Sequence, residues 1–432
     1  MNFNMQRIAA GLTLTTALCA PHLAGAQQAQ SDNPTPNITV QDRPRPDYDP
    51  LGIRAGSFLI FPSVTLSGEY DSNAFATKNN ADSDFGAILS PAVTANSDWN
   101  RHALNFSAGA TGAAFANYSQ NDYLDAYAAA DGRLDIRRDD IVSGTLRFDR
   151  LHDSRDNPDS PGSGEDERPE GNLTRYYRSL ADTQYRHNFN QIYTVIGAGV
   201  QRLNYVDNGQ SSTESRRDRT EYGARARVGY KISPRFGTFV QGNYSYRDYD
   251  EDEVLANGQD LDRTNSGYRV SLGTDVDITG LIFGELALSY SERNYDSSQF
   301  KDSNGFGGNG SLTWNVTPLT TIIFNASSEI LETTVTVDGE PASGDLQNTV
   351  GIDVTHELLR NVLLNANAGY IREDFQGVSR TDNIFNAGVG ASYLLNRNWS
   401  LNATYEFTTR NSDANGDEFT RSLVLLGVTA KL

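Results

Sequence analysis

From Leu124 to Ile136 the chain reads Leu-Asp-Ala-Tyr-Ala-Ala-Ala-Asp-Gly-Arg-Leu-Asp-Ile. The even positions, Leu124, Ala126, Ala128, Ala130, Gly132, Leu134 and Ile136, are apolar or small. The odd ones carry Asp125, Tyr127, Asp131, Arg133 and Asp135. A period of two puts neighbouring side chains on opposite faces of a β-strand, so this stretch has one apolar and one charged face. The rhythm returns at Tyr222, Ala224, Ala226, Val228, Tyr230 and Ile232, set against Glu221, Arg225, Arg227 and Lys231. Tyr268, Val270, Leu272, Val276 and Ile278 face away from Arg269, Ser271, Asp275 and Asp277. Followed in both directions, the pattern yields about eighteen strands (16–18) between residues 57 and 432, one of them expected over 320–336.

The connections alternate as well. Ser97 to Asn100, Arg137 to Asp140, Ser233-Pro234-Arg235, Thr279-Gly280 and Asn396-Arg397-Asn398 are tight, whereas 71–83, 152–171, 206–219 and 250–265 are long and polar. Short turns at one end and long loops at the other define an outer-membrane barrel. A lipid-facing sheet has to close, because an open edge leaves unpaired N–H and C=O groups in hydrocarbon. The expected fold is therefore all-β: a transmembrane antiparallel up-and-down β-barrel with short periplasmic turns and longer extracellular loops. A soluble β-sandwich or propeller would need sheet-packing cores, and its loops need not alternate in length.

Composition fits this fold. Of 432 residues 38% are hydrophobic and mean hydropathy is -0.52, without the repeated apolar runs of about 20 residues that helical spans require. Aromatics make up 10% of the chain, too many for a disordered polymer. A net charge of -19 argues against nucleic acid, whose phosphates need a basic face.

Arg7, the apolar run Ile8 to Ala20 and the small-residue site Ala24-Gly25-Ala26 read as a secretory signal over 1–26. Cys19 follows Leu18, where a lipobox needs a small residue, so lipidation is not expected. The chain has no other cysteine, which leaves the exported part without disulfides or thiolate metal sites. Residues 27–55 read as a flexible Pro-rich periplasmic segment and 56–432 as the barrel. The final strand is apolar at Val424, Leu426, Val428, Ala430 and Leu432, the alternation that the barrel-assembly machinery reads. Tyr118, Tyr123, Tyr176, Tyr177, Tyr246, Tyr249, Tyr290 and Tyr295 cluster near strand ends, where interfacial girdles are expected. Expected partners are outer-membrane lipid and lipopolysaccharide; assembly as a homotrimer is left open.

Arg43-Pro44-Arg45-Pro46-Asp47-Tyr48-Asp49-Pro50-Leu51-Gly52-Ile53-Arg54, then Gly56-Ser57-Phe58, Pro62, Tyr70-Asp71-Ser72-Asn73-Ala74-Phe75, Ser83-Asp84, Pro91, Trp99 and His102 resemble the opening of the β-barrel porin-2 family. The resemblance is specific over roughly residues 40–105 and beyond that rests on the strand rhythm. It implies a barrel in the bacterial outer membrane, brings no catalytic residues, and adds a second functional class, since some similar barrels are linked to exopolysaccharide export.

Neither a cofactor nor a metal site is expected. Gly305-Phe306-Gly307-Gly308-Asn309-Gly310 matches GxGxxG but runs into another alternating strand rather than opening a helix, so lumen-side glycines or a bulge explain it better. The acidic run Asp248 to Glu253 lacks the Gly and terminal Glu of an EF-hand loop. His102, His152, His187 and His356 are dispersed, and no HExxH or GxSxG occurs; no enzyme is expected. If apolar positions face lipid, the lumen gains Asp125, Asp131, Arg133, Asp135, Arg147, Arg225, Arg227, Arg269, Asp275, Asp277, Glu285, Asp353 and Glu406. Such a mixed-charge wall implies a hydrated or salt-bridged interior. The long connection 152–171 carries Asp153, Asp156, Asp159, Glu165, Asp166, Glu167 and Glu170. It either folds inward as a constriction that favours cations or stays outside as a solvated loop. The first function expected is passive passage of small hydrophilic solutes or cations. A conduit or accessory of polysaccharide export and a plugged structural barrel remain alternatives.

Overall fold

A computed structural model describes residues 38–160, 171–206, 214–254, 260–414 and 416–432; the signal expected at 1–26 and the first part of the Pro-rich segment lie outside them. Eighteen long strands follow one another. The first quarter holds β1 Phe58–Asp71, β2 Asp84–Ser97, β3 Ala103–Phe115, β4 Tyr123–Asp135 and β5 Asp140–His152. Next come β6 Arg175–Phe189, β7 Ile192–Val206, β8 Arg219–Ser233, β9 Phe236–Tyr249 and β10 Asn265–Ile278. They continue as β11 Ile282–Tyr295, β12 Ser303–Thr317, β13 Thr320–Leu331 and β14 Gly344–Leu359. The last are β15 Val362–Gln376, β16 Arg380–Leu394, β17 Trp399–Ser412 and β18 Phe419–Lys431.

Each strand pairs antiparallel with its chain neighbours. The ring closes where β1 meets β18, from Ser63 opposite Lys431 to Asp71 opposite Leu423. Closure satisfies the backbone groups that an open edge would leave bare in lipid. The alternation decides which side is which. Leu66, Leu89, Leu146, Ile196, Leu272, Leu288 and Leu426 are all exposed on the outer surface, while the residues between them turn to the interior. Leu288 is 75% exposed, a value that makes sense against acyl chains and not against water. No helix among the described residues is long and apolar enough to cross a membrane; the strands make the crossing.

Aromatic rows mark both edges of this band. Near the short turns Trp99, Phe189, Tyr230, Phe236, Trp314, Tyr393 and Trp399 are exposed. At the other end Tyr268, Tyr290 and Phe306 form a row, with centroids 6.4 Å apart across the first pair and 5.1 Å across the second. Amphipathic rings favour both interfaces. The tyrosines assigned to girdles divide by parity: Tyr177 is exposed, but Tyr176 and Tyr295 are buried on the inner face, and the Tyr249 hydroxyl bonds Glu332 inside. Consecutive residues cannot share a face of a strand, so proximity to a strand end does not by itself place a tyrosine in a girdle.

Two expectations need correction. The strand expected over 320–336 stops at Leu331, because Glu332 turns inward to meet a group of arginines. The described part of the segment expected to be a flexible tail is anchored. Val40 is 0% exposed, its N–H donates to Thr321 Oγ1 at 2.9 Å, and Arg45 Nη2 meets Glu357 Oε2 at 2.9 Å. Thr321 and Glu357 sit at the short-turn ends of β13 and β14, so this segment packs into the periplasmic mouth.

The wall has a long seam between β12 and β13. β12 and β13 pair from Thr317–Thr320 up to Gly310–Ala326 and no further. Above that point β12 continues to Ser303 paired with β11 alone, and β13 continues to Leu331 paired with β14 alone. Phe306 points outward, 85% exposed, so Gly307 presents its bare α-carbon inward. A Cβ there would lie 2.4 Å from the Ser328 Cβ, and one on Gly305 would meet Leu346 at 3.5 Å. β13 and β14 are thus tucked beneath β12, and the glycine-rich run is the smooth surface that admits them.

Candidate functional site: the lumen and its two mouths

The inner face of the wall is a lattice of short charged contacts. On β4 and β5, Asp125 meets His152 Nδ1 at 2.9 Å, Thr145 Oγ1 donates to Asp131 at 2.7 Å, and Arg133 pairs with Asp135 at 2.8 Å. Arg147 and Arg178 share the fully buried Asp149, at 2.8 Å and 2.9 Å. On β8, Arg225 makes a fork onto Asp182 with bonds of 2.8 Å and 2.6 Å. Arg227 makes a second onto Glu285 at 2.7 Å and 3.0 Å while lying over the Phe239 ring, 3.8 Å from its centroid. Planar guanidiniums and carboxylates match in this bidentate geometry, which fixes both side chains.

The remaining lumen candidates occupy distinct places. Arg269 donates to Ser291 Oγ at 2.9 Å and to the Ser328 carbonyl at 3.1 Å, holding the seam from within. Asp275 accepts from the Tyr193 hydroxyl at 3.0 Å, and Asp353 from Asn325 at 3.1 Å. Asp277 shares the face of Asp275 but accepts the Gly280 N–H at 3.0 Å, capping the turn; it serves the turn rather than the open lumen. Glu406 is half-buried on the inner face of β17.

The long connection after β5 reaches inward over its described part. Asp153 accepts from Arg217 at 2.7 Å, and the Asp156 carbonyl accepts from Arg410 of β17 at 2.5 Å. Asp159 takes bonds of 2.7 Å each from Thr333 Oγ1 and the Thr334 N–H, in the connection after β13. β17 lies well around the closed ring from β5, so these residues cross the extracellular mouth. Burial opposes the Arg217 charge, yet Asp153, Asp159 and Glu214 outweigh it and raise its pKa well above the ordinary value. Arg155 has carbonyl partners instead, at Gly171 (2.6 Å) and Gln120 (3.2 Å), and burial pushes it down to about 10. Glu165, Asp166, Glu167 and Glu170 lie outside the described residues.

Sequence reading missed the cluster around Glu332. Glu332, after β13, receives hydrogen bonds from Arg247, from the Tyr249 hydroxyl at 3.0 Å and from Asn265 at 3.3 Å, with Arg293 at 3.4 Å. Arg263 donates to the Thr333 and Ala342 carbonyls at 2.7 Å and 3.1 Å. Parity alone would have turned Arg247 and Arg293 inward; nothing local to Glu332 shows that it meets them. Among the described residues no group of three or more His, Cys, Asp and Glu side chains is arranged to hold a metal.

A closed eighteen-strand ring with an apolar band, two aromatic rows and a charged interior defines an outer-membrane β-barrel of porin type. Residues 45–432 match the family described as Putative beta-barrel porin 2, and the chain belongs to that family. Its place is the bacterial outer membrane, and porins are channels rather than enzymes. No curated protein matches the chain. Among solved structures it is similar to the outer membrane protein OpdK from Pseudomonas aeruginosa, at 10% identity and TM-score 0.45, covering 86% of this chain and 99% of that one. A BenF-like porin from Pseudomonas fluorescens Pf-5 gives 12% and 0.45, with 86% and 99% covered. OccAB4 of Acinetobacter baumannii gives 13% and 0.42, with 90% and 100% covered.

Proposed function

We propose that this porin-type channel passes small hydrophilic solutes by passive diffusion along a route narrowed at both mouths. The observation that carries the reading is the crossing of the extracellular mouth by residues 153–160, tied to β17 and to the connection after β13. A barrel of this strand number can enclose an aqueous channel, and loops held across it set the size limit. Passing solutes meet guanidiniums and carboxylates on the same wall, so polar and charged molecules are favoured over apolar ones. The segment around Val40 and Arg45 narrows the periplasmic end. Single-channel recording of the purified protein in planar bilayers tests the reading. Discrete steps that fall in size as neutral polyols fill the pore support it; a silent bilayer containing correctly folded barrels overturns it.

A further inference from the structure

Glu332 is a carboxylate from a connection, inserted among side chains of three strands that already form a receptor for one. Arg247 of β9 and Arg293 of β11 are both buried, and Arg219 of β8 lies beside them, bonded to Glu221 at 2.8 Å. Tyr249 and Asn265 complete the ring of donors around the two Glu332 oxygens. The cluster has donors to spare: Arg293 Nε and the Tyr295 hydroxyl are buried without a hydrogen-bond partner, while Arg247 Nε lies 3.7 Å from Glu221 Oε1. Buried guanidiniums without a full set of acceptors are costly, so with Glu332 withdrawn this group would demand another planar anion.

The seam shows independently that the segment bearing Glu332 has somewhere else to go. The edge of β12 above Gly310 is unpaired towards β13, and residues 327–331 turn inward instead. Across the gap Asn309 Oδ1 accepts the Ser328 N–H at 3.0 Å, and Arg269 of β10 reaches the Ser328 carbonyl from the lumen side. Extending the register upward would set Ser328 against Gly308 and Ile330 against Phe306. An unpaired edge favours that closure, while the contacts of Glu332 hold against it.

We propose that the arginine cluster of β8, β9 and β11 is a binding site for a small carboxylate, occupied here by Glu332 as an internal ligand. A solute carboxylate that takes its place frees the segment 327–343 to pair with the open edge of β12. Because Asp159 is bonded to Thr333 and Thr334, the same movement loosens residues 153–160 across the mouth. The binding site stands on its own geometry, whereas the consequence for passage rests on the channel reading.

The test uses the full chain folded in detergent, with the heat-modifiable gel band confirming the barrel and acetate as the probe. Glu332→Ala removes the internal ligand and leaves room for acetate; Glu332→Gln fills the same room with an amide. By calorimetric titration Glu332→Ala binds acetate at least about tenfold more tightly than the unaltered protein, because no internal ligand competes. Glu332→Gln shows no such gain, and adding Arg247→Gln to Glu332→Ala abolishes it. An alanine variant that binds no better, or a gain that survives Arg247→Gln, overturns the site. Should the alanine variant fail to fold, Glu332→Ser carries the same comparison. A disulfide between Asp159→Cys and Thr334→Cys, built with Cys19→Ser, tests the release. Acetate changes the single-channel conductance only after reduction, and an equal change in the oxidised channel overturns it. A barrel that conducts in neither state removes the channel reading and the release step, while the calorimetry judges the site separately.

Discussion

Arg410 of β17 donates a hydrogen bond of 2.5 Å to the backbone carbonyl of Asp156, a residue 254 positions earlier in the chain. Neither strand next to the loop provides that anchor; it comes from the wall across the mouth. A charged donor to a buried carbonyl contributes roughly 1.5–3 kcal/mol, enough to shift a docked-to-released ratio by about ten- to a hundredfold. Arg410→Ala is expected to fold normally and to show more frequent excursions to a larger conductance level in bilayer recordings. An unchanged level histogram would mean that the loop does not narrow the path.

At the other mouth Arg45 and Glu357 form a pair in which both side chains are 5% exposed. Removing one member of a buried pair leaves the other uncompensated and costs about 3–5 kcal/mol, an upper figure at a mouth that water can enter. Arg45→Ala is expected to release residues 38–50. The measurement is limited proteolysis of the folded barrel: the segment is cut in the variant and protected in the unaltered chain, while the heat-modifiable band persists in both.

The glycine run at the seam makes a steric prediction. A side chain at Gly307 collides with Ser328, whereas at Gly308 the nearest atoms, of Ala287 and Leu288, lie at 3.7 Å and 3.9 Å. Gly307→Val should destabilise the barrel by roughly 1–3 kcal/mol through overpacking, read as a lower urea midpoint, with Gly308→Ala close to neutral. Ser328→Gly should recover part of the loss at Gly307, since the two sites share one contact.

Acid should act on the Glu332 anchor late. Burial raises its pKa, but Arg247, Arg293 and Arg219 and the Tyr249 hydroxyl outweigh that and hold it at about 2. A carboxylate depressed in the folded state stabilises above its ordinary range and loses that contribution as pH falls through its folded value. The difference in urea midpoint between the unaltered chain and Glu332→Gln should be full at pH 6, shrink below the ordinary glutamate range and vanish near the folded value of about 2. A difference constant down to that value would place no titrating carboxylate in the cluster.

The strand pattern was legible because each strand lies between two solvents. Lipid on one side and a hydrated interior on the other impose a period of two on every crossing, and that local constraint set the strand number, the turn positions and the inward face of Arg225, Arg227, Asp275 and Asp353. It also turned Arg410 inward, since Ser400, Asn402, Thr404 and Glu406 precede it in the same phase. Composition and alternation thus determined the barrel, its membrane and the charged character of its interior.

What covers the two mouths was decided only in three dimensions. Asp156 meeting Arg410, Glu332 entering the arginine cluster, and Val40 and Arg45 seating on Thr321 and Glu357 are contacts between segments far apart in the chain. They carry no periodicity, because a connection is not constrained by an alternating environment. The glycine run showed the same limit: its residues suggested lumen-side glycines or a bulge, but the partner beneath them, Ser328, emerged only once β13 was seen to leave the wall. Local chemistry fixes which face a strand side chain takes; closure of the ring fixes what stands opposite it.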